Sequence, residues 1–142
     1  MYETILIPTD GSTDAMRGAE HGVELAAALG STVHALYVIE EGTNPWSSES
    51  IDDQLDRARE HAAAVTGEVA ELAADAGVAC ETATAVGPHV YEEINEYVEE
   101  EEIEAIVMGS GFRGSLGGLL GSTADKVLRS ATVPVTVIRR SG

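Results

Sequence analysis

The order in which short apolar runs and helix-period stretches alternate leaves this chain few folds to adopt. Thr4-Ile5-Leu6-Ile7 is a continuous run suited to a strand buried on both faces, and it stops at the turn cluster Pro8-Thr9-Asp10-Gly11-Ser12. Ser12 or Asp10 is placed to cap a helix that carries Ala15, Ala19, Val23, Ala26 and Ala27 on one face and ends near Gly30. Val33 to Ile39 is a second apolar strand. After a polar loop, Glu41 to Ser50, the positions Ile51, Leu55, Ala58, Ala62, Val65, Val69, Leu72 and Ala76 recur in steps of four and three. That spacing predicts a helix of about 26 residues, with Ser50 and Asp53 at its start and Gly77 at its end. Val78 to Val86 is a third strand. Gly87-Pro88 then opens a helix with proline at its first position and Val90, Ile94, Tyr97 and Val98 facing inward. Ala105 to Met108, a helix from about Leu119 to Arg129, and Val133 to Ile138 complete the pattern.

Five strands alternating with four helices imply an α/β fold, one domain over residues 1–142. Its sheet is open, five-stranded and parallel, with right-handed crossovers and helices on both faces. In such a sheet ligands bind outside the carboxyl ends of the strands, where the strand order reverses. Pro8 to Ser12 and Gly109 to Ser122 both follow strands and both belong at that edge.

The second of these stretches, Gly109-Ser110-Gly111-Phe112-Arg113-Gly114-Ser115-Leu116-Gly117-Gly118-Leu119-Leu120-Gly121-Ser122, follows a buried strand and precedes a helix. Glycine lets the backbone approach an anion, and N–H groups at the loop and the helix start point toward it. Charge is partitioned to match. From Gly109 onward there are five basic residues and one acidic one, a balance of +4, whereas residues 1–108 carry −21. Gly109-x-Gly111-x-x-Gly114 also fits the dinucleotide fingerprint, but no acidic residue stands about 20 positions on to hold a ribose. A phosphate-loop ATPase is set aside as well, since no Gly-Lys-Ser/Thr follows the glycines.

Composition bounds the remaining classes. A net charge of −17 argues against a nucleic-acid surface and against an anionic membrane. No apolar run approaches the ~20 residues of a membrane span, and Met1-Tyr2-Glu3 leads into a strand with no leader pattern. One cysteine, Cys80, excludes an internal disulfide and fits a reducing cytoplasm; it reads as a small hydrophobe at a strand start. His21, His34, His61 and His89 lack metal-ligand spacing. The acidic excess, with Lys126 as the only lysine, suggests a protein that stays soluble in concentrated salt, and Glu99 to Glu102 reads as a solvated helix end.

Three stretches in one order resemble the universal stress protein family along the whole chain. Ile5-Leu6-Ile7-Pro8-Thr9-Asp10-Gly11-Ser12 is similar to the family's opening motif, and Tyr37-Val38-Ile39 to its second strand end. Val107-Met108-Gly109-Ser110-Gly111, nine residues, then Gly121-Ser122 is similar to its glycine loop. The close, Lys126-Val127-Leu128 followed by Thr132-Val133-Pro134-Val135, is also family-like. The resemblance implies a cytoplasmic stress-response module that binds ATP, AMP or ADP, and the acidic composition adds a halophilic archaeal source. Pro8, Thr9 and Asp10 would border the adenosine and Val38 would pack on adenine. Gly109, Gly111, Gly121 and Ser122 would cradle the phosphates, with magnesium or manganese held mainly by phosphate oxygens, and Met108, Arg113 and Thr123 would belong to the same nucleotide site. With the strand order 3-2-1-4-5 the final strand, Val133 to Ile138, lies at an edge, and the resemblance implies a homodimer through it. One departure stands out, because a single residue, Ser110, separates Gly109 from Gly111 where the family has two. A nucleotide-free interaction module and a slow ATPase or autophosphorylating protein are the alternatives. Asp10, Ser122 and Thr123 could also serve only as helix caps, and Arg113 as a solvated loop residue.

Overall fold

The computed structural model describes residues 2–42, 50–113 and 120–139. Most of the loop from Glu41 to Ser50, with Trp46, and the stretch Gly114 to Leu119 lie outside the described residues. Nine elements alternate: β1 (Thr4–Pro8), α1 (Thr13–Leu29), β2 (Thr32–Glu40), α2 (Ile51–Asp75), β3 (Cys80–Gly87), α3 (Val90–Glu100), β4 (Ala105–Gly109), α4 (Ser122–Ser130) and β5 (Val135–Ile138). The sheet order is β3-β2-β1-β4-β5 and every pairing is parallel. The expected architecture is the one observed.

Strand alternation sorts the core into two layers. On β1, Ile5 and Ile7 join Ala19, Val23 and Ala26 of α1 and Val69 and Ala73 of α2, while Leu6 turns to the other face. There it meets Ile94 and Val98 of α3, Ala124 and Val127 of α4, and Ile106, Met108 and Phe112. Ile5, Leu6 and Ile7 are all fully buried, as a central parallel strand requires. Each such side chain stabilises the fold by about 1.5–3 kcal/mol.

Local chemistry sets the element ends. Ser12 Oγ accepts from Ala15 N–H at 3.1 Å to start α1, and Gly30 at φ +71° ends it. Ser50 Oγ accepts from Asp53 N–H at 3.1 Å at the start of α2, and Gly77, at φ +72°, follows its end. Four boundaries differ from expectation. Pro88 lies before α3, whose N-cap is His89 with no side-chain cap. Strand β3 starts at Cys80 rather than Val78, and Cys80 is half-buried. Leu120 and Gly121 precede α4, which starts only at Ser122. Val133 and Pro134 precede β5, where the Pro134 carbonyl still accepts from Ile106 N–H at 2.9 Å.

The long helix also departs from its pattern. Ala62, Val65 and Val69 are buried, but Ile51 is 64% exposed. At 25 residues α2 spans about 37 Å, more than the nine residues of β2 can cover at about 3.3 Å each. Its first turns therefore run past the sheet, where Ile51, Leu55 and Ala58 line an open pocket of about 530 Å³ with Ile39 and Val86.

Candidate functional site

The strand order reverses between β1 and β4, which leave the sheet side by side at Pro8 and Gly109. Crossovers run to opposite faces on either side of this point, above the carboxyl ends of β1, β2 and β4, which is where open parallel sheets form their ligand-binding cleft. The sequence-expected residues Pro8, Thr9, Asp10, Val38, Gly109, Gly111 and Arg113 converge there, with Gly121, Ser122 and Thr123 at the start of α4 next to them.

Asp10 organises one wall. Its Oδ1 accepts from Ser12 N–H at 2.9 Å, which fixes the turn into α1. Its Oδ2 accepts from the Arg113 N–H at 2.9 Å, which ties that turn to the glycine loop 103 residues later. Asp10 is thus more than a helix cap, and Ser12 holds the capping position. Thr9 is fully buried, donates its N–H to the Leu36 carbonyl at 2.9 Å, and accepts at Oγ1 from Gly11 N–H at 3.2 Å.

A close approach of backbones makes the opposite wall. A Cβ added at Gly109 would stand 2.2 Å from the Asp14 carbonyl oxygen, and one at Gly111 2.0 Å from Asp14 Oδ2. Gly18 closes the contact from the helix side, where a Cβ would come within 2.6 Å of Gly109 N. Only hydrogen at Gly109 and Gly18, where the neighbours are backbone, lets α1 lie against the end of β4; at Gly111 the neighbour is the end of the Asp14 side chain. Asp14 also pairs with Arg17 at 2.7 Å, so a carboxylate and its partner flank the loop.

The start of the loop folds on itself. Ser110 N–H donates to the Ile138 carbonyl at 2.9 Å, Phe112 N–H to the Gly109 carbonyl at 3.2 Å, and Gly121 N–H to the Ser110 carbonyl at 3.0 Å. The last of these bonds brings α4 to the carboxyl end of β4. Helix α4 has Gly121 as N-cap and no side-chain cap, and its first helical bond runs from Asp125 N–H to the Gly121 carbonyl. The N–H groups of Ser122, Thr123 and Ala124 are thus outside the helical ladder and available to an acceptor. Ser110 Oγ is buried without a hydrogen-bond partner.

Two expected residues act through something other than an open side chain. Met108 is fully buried in the core against the α3 and α4 layer, so its side chain packs the floor. Val38 is fully buried too, and only its carbonyl faces the cleft, where it accepts from the Arg113 guanidinium. Arg113 is no solvated loop residue. Its Cζ lies 5.3 Å from the Tyr37 ring centroid and 5.8 Å from that of Phe112, and its Nε is buried with no partner. Tyr37, Phe112, Asp14, Gly18 and Ser110 shape the cleft and escaped the sequence reading. The one phenylalanine beside the loop's lone cation was the available pointer to Phe112.

Among the described residues, no group of three or more His, Cys, Asp or Glu is arranged to hold a metal ion, and no helix is long and apolar enough to cross a membrane.

The same architecture recurs in known proteins. Residues 1–139 match the universal stress protein family. Universal stress protein MJ0531 of Methanocaldococcus jannaschii is 32% identical over 148 residues, 99% of this chain and 84% of that one. Universal stress protein YxiE of Bacillus subtilis is 28% identical over 149 residues, 98% of this chain and 100% of its own length. Among solved structures, hypothetical protein MJ0577 superimposes with a TM-score of 0.87 at 29% identity, over 100% of this chain and 99% of that one. UspA from Lactobacillus plantarum does so with a TM-score of 0.83 at 27% identity, over 97% and 98%. A match along almost the whole length, together with a relative above 30% identity, places this chain in the universal stress protein family.

Proposed function

We propose that this chain is an adenine-nucleotide-binding stress-response module of the cytoplasm, working as a homodimer. The observation that supports it best is the strand-order reversal, where Asp10 after β1 binds the backbone of the glycine loop and an uncapped helix start lies beside them. The residues fit such a ligand. Ser122 and Thr123 offer N–H groups with the positive end of α4 behind them, while the Cα faces of Gly109 and Gly111 are taken up by Asp14 of α1. Buried Ser110 Oγ has no partner of its own. Pro8, Thr9 and Asp10 would border the nucleoside, and the Val38 carbonyl would accept from an exocyclic amine. Magnesium or manganese would ride on the phosphates, which they neutralise beside the Asp14 carboxylate. Two solved structures of this fold, a universal stress protein with cAMP and one from Archaeoglobus fulgidus with dAMP, share 22% identity with the chain. At that distance they speak for the fold, and the case for this chain rests on its own residues.

The dimer would form at β5, an edge strand whose Val135, Val137 and Ile138 are only partly buried. The composition supports a halophilic archaeal setting. A hydrolytic reading needs a base beside an attacking water, and both oxygens of Asp10 are committed to backbone N–H groups. A nucleotide-free interaction module is the second reading, favoured by the loop one residue short of the family's and by Arg113 seated on the Val38 carbonyl.

Titration calorimetry of ATP with magnesium in molar KCl, on wild type and Gly121→Val, separates the two. Gly121 is buried, and a branched side chain there would crowd the start of α4. Micromolar binding lost in the variant supports the nucleotide reading, and no binding by the wild type refutes it. Light scattering on the same samples tests the dimer, and a monomer at physiological salt would refute that part.

A further inference from the structure

Side-chain and backbone polar groups alternate along a strand with a period of two. On β2 the Leu36 carbonyl points toward β1, where it accepts from Thr9 N–H. The Val38 carbonyl, two residues on, points the same way. Pairing with β1 ends at Pro8 opposite Leu36, so no strand is left to satisfy Val38 on that side. It is the first free acceptor beyond the ladder, and it opens into the cleft. The Arg113 guanidinium fills this vacancy in hydrogen bonding.

Several features hold it there. The backbone at Arg113 takes φ +62°, a left-handed conformation that few residues other than glycine adopt. The Asp10 carboxylate holds the Arg113 N–H at 2.9 Å, and the guanidinium lies by the Tyr37 and Phe112 rings. The seat is imperfect, because Nε is buried without an acceptor. A planar donor bound to one carbonyl and flanked by aromatic rings is also what an aminated nucleobase would be at this place.

We infer that Arg113 is a specificity-determining gate residue: its guanidinium occupies the nucleobase side of the cleft, and a base carrying an exocyclic amine enters only by displacing it from the Val38 carbonyl. The inference rests on the nucleotide reading and deepens it. Apparent affinity is then the intrinsic affinity reduced by the fraction of molecules in which Arg113 has swung away. Bases that present only an acceptor at that position cannot replace the lost bond and are rejected.

Adenosine is the probe, because it carries no phosphate and its binding is blind to the loss of a cation near the phosphate loop. Its dissociation constant is measured for wild type, Arg113→Ala and Arg113→Lys, with inosine, which has a carbonyl in place of the amine, as the comparison. Arg113→Ala should bind adenosine about tenfold more tightly than wild type, the scale of one charge-assisted hydrogen bond. Arg113→Lys, a non-planar donor, should fall between, and inosine should stay weak throughout. Equal or weaker adenosine binding by Arg113→Ala, while wild type still binds, overturns the gate and leaves the nucleotide reading intact. No adenosine or ATP binding by either protein overturns both. An independent readout needs no variant. In ligand-free wild type the Arg113 Nε–H should exchange with water far more slowly than the exposed Arg129 Nε–H, and equal rates overturn the proposal.

Discussion

Glycine to alanine inside a helix normally stabilises by about 0.5–1 kcal/mol, because alanine loses less backbone freedom on folding. Gly67, inside α2, has nothing within 4 Å of a would-be Cβ, so Gly67→Ala should follow that rule. Gly18, inside α1, should break it. Its Cβ would meet Gly109 N at 2.6 Å and the Met108 carbonyl carbon at 2.9 Å, both backbone atoms that cannot rotate aside. Ordinary contact begins at 3.4 Å, so α1 would have to move off β4 by about 0.8 Å. Overpacking of this kind costs about 1–3 kcal/mol, and the propensity gain offsets under 1 kcal/mol of it. The net expectation is a loss of about 1–2 kcal/mol. Gly22 is intermediate, because its near contact at 2.6 Å is Ile7 Cδ1, the far end of a flexible side chain. Urea unfolding of the three variants should therefore rank Gly67→Ala above wild type, Gly22→Ala near or below it, and Gly18→Ala last. If Gly18→Ala gained stability as Gly67→Ala does, the close seating of α1 on β4, and with it one wall of the cleft, would be refuted.

Two further outcomes test other parts of the structure. Burial, with Glu101 and Glu81 nearby, pushes the Tyr97 phenol up to about 12 from its ordinary 10.0, and its hydroxyl lies 2.7 Å from His34 Nδ1. The folded state holds this proton more tightly than the unfolded one. Tyr97 therefore stabilises fully below pH 10, and its contribution is lost as pH climbs from 10 to about 12. Urea midpoints at pH 9 and 11 should show a smaller alkaline loss in Tyr97→Phe than in wild type, and an equal loss would show that Tyr97 does not control it. The net charge of −17 predicts a melting temperature that rises by about 5 °C or more between 0.1 M and 2 M KCl. A flat response would remove self-repulsion as a determinant of stability.

The alternation of runs such as Thr4 to Ile7 with stretches such as Ile51 to Ala76 made the parallel sheet and its right-handed crossovers legible, whereas the same alternation is compatible with more than one strand order. Caps were legible for the same local reason, as Ser12, Ser50, Gly30 and Gly77 act on atoms a few residues away. Exposure along α2 was not. Ile51 and Leu55 keep perfect helical spacing, but whether they meet a sheet depends on how far the strands extend beneath them.

The cleft divides in the same way. Its glycines, its charge balance and Asp10 are properties of the chain, and a sequence that places them after strands β1 and β4 places them together. What Asp10 and Arg113 do there is a property of the fold. Asp10 could have been a helix cap alone until Arg113 N–H arrived from 103 residues away, and Val38 could have been core alone until pairing with β1 stopped two residues short of it. Periodicity and capping are local energies that a sequence displays directly. An unpaired carbonyl and the side chain that reaches it exist only once separate strands have ended at their particular heights, and tertiary packing alone decides that.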